Sequence, residues 1–492
     1  MDIDPKLRQT WTNHTGNQST QPLRVYEPRS TDEVIAIVQE AESQDCTVRA
    51  VGSGHSWSDV ALTSGFLLLT TRLRSVLSFS PPLLKPGADA RHLVWTHAGI
   101  PLRELNDALD RQGLALSNMG GYDAQTVAGV VSTSTHGSGI TFGPLCDQVR
   151  SLDIVSGGGR VYRVEPSAGI TDPAAYTARF PRAQLVQDDD WFHAAQVGMG
   201  CLGVIVSAIL EVRDAFWLNE VRTLTAWPEA ADELRSGKAL ASSAHYEICF
   251  NPYISDKNPS GANRCLITRR DPVAPQPRAP RDKLERNVLV ETAASIPFTA
   301  RLLKRLLDKK PRITPDILDD ALEGMVDTYM NKSYKVFNIG AANKIPAYSM
   351  EIAVPVERAV DAVEIIMRLA VHRARVADVY HTSPVALRFV KASPAFMSMM
   401  HGRDTMMIEL IMMAGTEGGF EHLGALEEAL REVDGRPHWG QVNGLSGCEE
   451  TLRALYPRFD DWQRIRVSMD PRGTFESVFT RRVGITRKAH LP

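Results

Sequence analysis

Arg49-Ala50-Val51-Gly52-Ser53-Gly54-His55-Ser56-Trp57-Ser58-Asp59 follows an amphipathic helical pattern and a short β-type run that ends at Val51. Two glycines, three serines and one histidine fall between Gly52 and Ser58. Such a loop presents successive backbone N–H groups with little side chain in the way, which is how a chain builds a concavity for an anionic diphosphate. His55 within it is open to four uses: metal ligand, general base, covalent attachment point, or hydrogen-bonded loop residue. Asp59 is the only nearby partner for a metal, so the spacing argues against one. The chain has no GxSxG elbow, no GxGxxG opening a helix in a βαβ unit and no GxxxxGK[ST]. Nucleophile-elbow, Rossmann and P-loop readings therefore fail.

Upstream, residues 11–17 form a turn-rich lead-in. Ser30-Thr31-Asp32-Glu33 opens a helix, with Thr31 as its expected cap and Val34, Ile35, Ile37, Val38 and Ala41 on one face. Downstream, 66–70 and 93–96 read as buried strands, and 101–109 as a helix with Pro101 in its first turn and Gly113 past its end. Residues 118–139 are rich in glycine and small side chains and fit neither period, so a flat group or another backbone can lie close against them. Strands at 149–155 and 160–164 flank Gly157-Gly158-Gly159 as a hairpin. Residues 198–206 lead into a buried strand that runs on to Val212.

Composition changes after about Ala215. Residues 255–345 are rich in proline and basic side chains, with helical pieces expected at 282–294, 298–308 and 315–329. Three prolines mark 275–280 as an exposed connection. The basic amphipathic run 301–310 reads as a solvated helix face rather than a membrane contact. Strands at 348–354, 385–390 and 406–413 alternate with helices at 356–373 and 418–432, which predicts a helix-backed antiparallel sheet. A last helix is expected near 460–469.

A chain of 492 residues is too long for one core and implies two or three domains. Its 43% apolar and 23% charged residues are ordinary for a soluble protein, and a net charge of −3 gives no pull toward nucleic acid or anionic membrane. The acidic start has no apolar signal core, and the apolar run 194–210 contains three glycines and falls short of the ~20 residues a membrane helix needs. Six scattered cysteines without a CxxC pair read as buried thiols in a reducing compartment. These features predict a cytoplasmic location, no integral membrane segment and no nucleic-acid partner; oligomeric state is left open.

Gly52-Ser53-Gly54-His55-Ser56, then Thr126-Val127-Ala128-Gly129 through Thr135-His136-Gly137-Ser138-Gly139, then Leu202-Gly203-Val204-Ile205, then His438-Trp439-Gly440-Gln441 occur in that order. Together they resemble the vanillyl-alcohol-oxidase-type (PCMH-type) FAD flavoproteins, and within them the sugar-lactone and alditol oxidases. The resemblance covers 10–215 and 430–492 well and 216–430 loosely. It implies an α+β fold: a two-subdomain FAD-binding domain at 1–215, a cap domain with an antiparallel sheet at 216–430, and a segment at 431–492 that returns to the FAD domain.

By position, the resemblance implies that Val51, Gly52, Ser53, Gly54, His55, Ser56 and Trp57 hold the FAD diphosphate, and that His55 carries a covalent bond to the flavin. Thr126, Gly129, Val130, Val131, Ser132, Thr133 and His136 match the segment on ribityl and ring, and Ile205 a contact to the adenosine end. Cys146 is not read as a second flavin link. Gly120 and Gly121 fall beside the flavin's reactive edge, where glycine admits oxygen; a positive-φ turn is the other use of glycine there. Glu351, Arg388, His438 and Gln441 match substrate-facing positions, although relatives often carry lysine where Gln441 stands. No metal is expected. The implied reaction is oxidation of a CH–OH group of a sugar, polyol, aldonolactone or related alcohol, with hydride passing to flavin N5 and O2 reduced to H2O2. The alternatives are a dehydrogenase with another electron acceptor, and a flavin-binding protein with a degenerate substrate site.

Overall fold

The computed structural model describes residues 6–7, 9–79, 83–276, 297–339 and 346–486. The helix expected at 282–294 and the end of the proline-rich connection at 277–280 lie outside the described residues.

The first part of the chain forms two sheets. A four-stranded sheet runs Lys6–Leu7, Arg24–Tyr26, Phe66–Leu69, Val48–Val51, its last three strands parallel. Helix Thr31–Ser43 is the crossover between two of them and buries Val34, Ile37, Val38 and Ala41. Its cap is Ser30, whose hydroxyl accepts from Glu33 N–H; Thr31 is already inside the helix. The second sheet has six strands in the order Ala183–Gln187, Val161–Glu165, Val149–Val155, Val204–Glu211, Leu93–His97, Val76–Leu77. The expected hairpin about Gly157–Gly159 joins its second and third strands.

Two expectations need correction. The segment 118–139 contains a six-residue helix, Val127–Ser132, that begins at Thr126 because that hydroxyl accepts from Gly129 N–H. The helix expected at 315–329 stops at Gly324, and Asp327–Lys332 is a strand.

Apart from two small two-stranded pairings, the remaining strands make one antiparallel sheet of eight: Asp327–Lys332, Trp217–Ala226, Arg264–Val273, His245–Phe250, Val385–Val390, Thr405–Met413, Ala347–Pro355, Arg436–Pro437. Helices Trp227–Arg235, Ala359–Ala377 and Gly419–Leu430 cover one face, where Ile248, Ile352, Leu387, Phe389, Ile408 and Leu410 interlock with Val363, Ile366, Leu423 and Leu426. Strands alternate sides, so the residues between these point to the other face, toward the first part of the chain. The C-terminal helix Phe459–Met469 packs back into the earlier core, with Trp462 Nε1 donating to Ala194 O at 3.1 Å. Met397, Met399, Met400, Met406, Met407 and Met412 are fully buried filler.

Candidate functional site

From Ser53 to Ser56 the backbone of the loop after Val51 is bonded through its carbonyls only. His14 N–H donates to Gly54 O at 2.8 Å, Asn13 Nδ2 to Ser56 O at 2.9 Å, and Asn17 Nδ2 to Trp57 O at 2.9 Å. The lead-in thus ties down the loop's carbonyls. The backbone N–H groups of Ser53, Gly54, His55 and Ser56 donate to no protein acceptor among the described residues. Buried or half-buried N–H groups need a partner, and four in succession call for an anion. Gly52 makes the approach possible: a Cβ there would stand 2.0 Å from Thr126 Oγ1. Gly54 has φ +68°, which turns the chain.

This loop walls an open cavity. Val51, Gly52, Ser53, Gly54, His55, Ser56, Thr126, Gly129, Ser132, Thr133 and Ile205 all line it. Val130 and Val131 do not; their side chains are buried in the core, on the inner face of the short helix. Cys146 is likewise enclosed in the core.

A second, larger cavity shares the wall residues His55, Ser56, Gln125 and Thr133 with the first, so the two adjoin. Trp57, Gly120, Gly121, His136, Glu351, Arg388, His438 and Gln441 line it. Neither Gly120 nor Gly121 has a positive φ, so space and not backbone conformation demands glycine. A Cβ on Gly121 would meet Ile339 Cδ1 at 2.9 Å, and one on Gly120 would meet His136 O at 3.2 Å. An extended, flat ligand with an anionic middle fits this pair of cavities, which is the shape of a dinucleotide flavin.

His55 stands at the junction. Its Nδ1 is 3.0 Å from Ser53 Oγ and its Nε2 3.2 Å from Tyr122 OH. The His14 ring lies 4.2 Å from its ring. Burial, with smaller contributions from His14 and Arg103, pushes the imidazole down to about 4, so it is neutral at neutral pH. Neither His14 nor Tyr122 was singled out from sequence, although both lie in stretches that were.

At the floor of the larger cavity, His136, Glu351 and His438 converge from three distant parts of the chain, their polar atoms all within 4.8 Å of one another. His136 Nδ1 donates to Gly137 O at 2.8 Å, and its Nε2 stands 3.1 Å from Glu351 Oε1. His438 Nδ1 accepts from Gly440 N–H at 3.0 Å, which places its proton on Nε2 in the neutral ring. Burial pushes that ring down to about 4. Burial alone would raise the Glu351 carboxyl; His136, His438 and Arg388 more than offset it and hold it at about 2, ionised at neutral pH. Its Oε1 nevertheless accepts no well-aligned hydrogen bond, and neither does Gln441 Oε1. Both are buried acceptors without an aligned hydrogen bond among the described residues, and both belong to residues of the cavity wall. Arg388 Nη1 is 3.5 Å from the same Glu351 oxygen and 2.8 Å from Glu409 Oε2. That fixed positive charge disfavours a metal ion between the three residues.

A family model described as D-arabinono-1,4-lactone oxidase matches residues 208–483, and one described as an FAD binding domain matches 22–165. The chain is 30% identical over 483 residues to the L-gulono-1,4-lactone dehydrogenase of Mycobacterium tuberculosis, covering 96% of this chain and 98% of the relative. It is 27% identical over 480 residues to the L-gulonolactone oxidase of Mus musculus (96% and 97%), and 26% over 474 residues to the alditol oxidase of a Streptomyces species (96% and 98%). Among solved structures, cholesterol oxidase from B. sterolicum superposes with a TM-score of 0.74 at 14% identity, over 98% of this chain and 97% of that one; this likeness speaks for the fold alone.

Proposed function

Because the chain belongs to the D-arabinono-1,4-lactone oxidase family of FAD-linked oxidoreductases, we propose that it oxidises a CH–OH group of a polyol, aldonolactone or related alcohol at the cavity floored by Glu351. The observation that carries this is the ionised, buried Glu351 carboxylate on the wall of the larger cavity, whose Oε1 has the ion-pair contacts of His136 and Arg388 but no well-aligned hydrogen bond. A hydroxyl donor satisfies that oxygen, and a buried acceptor left unpaired costs about 1–3 kcal/mol.

The backbone N–H groups of Ser53, Gly54, His55 and Ser56, left without protein acceptors, hold the FAD diphosphate. His55 is the covalent tether: its ring is neutral and stands where the two cavities join. FAD supplies the hydride acceptor at N5, chemistry the side chains lack. Glu351 takes the substrate hydroxyl proton; Arg388 and His136 keep it ionised and so free to accept, while moderating its basicity. His438 donates from Nε2 to a substrate oxygen, and Gln441 accepts from a neighbouring hydroxyl. A substrate with two adjacent hydroxyl groups uses both acceptors.

We assign 1–215 and 431–492 to FAD binding and 216–430 to the cap, in a protein of the cytoplasm. None of the six cysteines is paired, and among the described residues no helix is long and apolar enough to cross a membrane. The terminal acceptor is oxygen; Gly120, leaving the cavity open beside His136, supports this. The test is anaerobic mixing of the holoprotein with polyols, aldonolactones and larger alcohols, followed by admission of air. A substrate bleaches the flavin, and air restores the colour with release of peroxide. Flavin that no alcohol bleaches sinks the proposal; bleaching without fast recovery in air replaces oxygen by another acceptor.

A further inference from the structure

The cavity-facing side of the eight-stranded sheet carries a row of charge. Glu220, Arg270, Glu247, Arg388, Glu409 and Glu351 stand on six successive strands of the sheet. Arg270 Nε donates to Glu220 Oε2 at 2.7 Å, and its two terminal nitrogens grip Glu247 at 2.6 and 3.1 Å. Arg388 Nε approaches Glu247 Oε1 only to 4.0 Å, while its Nη1 reaches Glu409 and Glu351. Glu220 faces Arg270 and Glu247 faces Arg388 as direct cross-strand partners. Glu351 and Glu409 also face each other, a like-charge pair that Arg388 bridges.

Glu220, Arg270 and Glu247 do not line the cavity. Glu220 and Arg270 are 1% and 3% exposed. Buried ion pairs are seldom better for stability than apolar packing of the same volume, so the row asks for another reason. We propose that Glu247 and Arg270 are positioning residues that act through Arg388 to set the proton affinity of Glu351 from outside the cavity. This rests on the reading of Glu351 as the proton acceptor.

The geometry gives the sign. Arg388 serves three carboxylates and cannot satisfy all of them. Because Arg270 holds Glu247 with a two-pronged grip, Glu247 draws little on Arg388, and Nη1 is left to Glu409 and Glu351. Without the Arg270 charge, Glu247 keeps the Ser138 hydroxyl but has Arg388 as its remaining cation among the groups that hold its carboxylate, and the guanidinium is drawn away from Glu351. Glu351 then becomes the stronger base. Without the Glu247 charge the reverse follows, because an uncompensated Arg388 lies nearer Glu351. The other charged or titratable groups facing Glu351, His136, His438 and Glu409, are unchanged in either variant.

The experiment is anaerobic stopped-flow reduction of the holoenzyme at saturating alcohol, at one pH near neutral. Glu247→Gln slows the limiting rate about threefold and Arg270→Gln raises it about threefold, the response expected of a one-unit change in basicity at a Brønsted slope near one half. The apparent Kd for substrate stays the same in both. The double variant Glu247→Gln with Arg270→Gln returns close to the wild-type rate. Two single variants that both slow reduction, or a double variant slower than either, overturn the proposal. Flavin content and melting temperature show whether Arg270→Gln folds. If it does not, Glu220→Gln takes its place: it slows reduction in the same direction as Glu247→Gln but less, and an unchanged or faster rate overturns the proposal. Glu351→Gln separates the two readings. If it reduces at the wild-type rate, Glu351 is not the acceptor; if it is slow while the row variants fail to move in opposite directions, only the row proposal falls.

Discussion

Gly52→Ala tests the cofactor cradle at its tightest point. The new Cβ would stand 2.0 Å from Thr126 Oγ1 and 3.0 Å from Thr126 Cβ and Cγ2. Ordinary contact needs about 3.5 Å, so the threonine or the loop must move by well over an ångström. Thr126 is buried, and its hydroxyl caps the Val127–Ser132 helix through Gly129 N–H at 3.3 Å. Losing that cap costs about 1 kcal/mol, and forcing an extra methyl into a packed site about 1–3 kcal/mol more. The sum, roughly 2–4 kcal/mol, is a fall in melting temperature of about 4–16 °C for domains of this size. The displaced loop also swings its four N–H groups out of line, so purified Gly52→Ala carries less than half the wild-type flavin. Thr126→Ala removes the atom at 2.0 Å and leaves a nearest approach of 3.0 Å, which a shift of a few tenths of an ångström relieves. The double variant is therefore more stable than additivity of the two single variants allows. Differential scanning fluorimetry and the ratio of flavin to protein absorbance read the cycle. Additive losses, or a Gly52→Ala protein with wild-type flavin and melting temperature, would refute the steric argument.

Acid-precipitated wild-type protein stays yellow and fluoresces on a denaturing gel, whereas His55→Ala releases its flavin; free flavin in the wild-type supernatant contradicts the tether. Glu351→Gln slows flavin reduction by about 10²–10⁴-fold with flavin content unchanged, as expected for loss of a proton acceptor, and a wild-type rate excludes that role. Gly120→Ala places a methyl 3.2 Å from His136 O, so it slows reoxidation by air more than reduction by substrate; equal slowing of both steps contradicts a role in oxygen access. His422 is wholly buried, neither ring nitrogen has a partner among the described residues, and burial pushes it down to about 4. The unfolded chain binds its proton near pH 6.5, so the stability it contributes is complete above that pH and is lost as pH falls toward 4, by roughly 3 kcal/mol at most. His422→Leu flattens the acid limb of a melting-temperature profile between those values, and an unchanged limb counts against the assignment.

What could be read from the sequence divides by distance along the chain. The Gly52–Ser58 loop and the hairpin at Gly157–Gly159 were legible because their physics is local: runs of N–H groups and a tight turn are written in consecutive residues. The strands at 348–354 and 406–413 were legible because one face of each is apolar. The strand Asp327–Lys332 was not, because it is a sheet edge with polar side chains and no clean alternation, and its neighbouring helix pattern ran through Gly324 unchecked. The Thr126 cap hid inside a glycine-rich stretch whose average composition hides a short helix. Glu351, Arg388 and His438 could be named by resemblance, but their meeting with His136 could not, since only the folded sheet and the returning C-terminal segment bring them together. The Glu220–Arg270–Glu247 row left no trace at all: each charge sits alone on its strand, and the row exists only across the sheet.

The site is also assembled out of chain order. Trp57 and Ser58 sit beside the first glycines of the cradle, yet Trp57 N–H donates to Gly440 O at 2.8 Å and Ser58 Oγ to Trp439 O at 2.7 Å, 381 residues further on. At about 5–20 residues per second of synthesis, the loop waits roughly 20–80 s on the ribosome for its backing to be made. Loading of the flavin, and closure of the tether proposed at His55, therefore wait until Trp439 has been made, and a nascent chain stalled before it is expected to be colourless however much flavin surrounds it.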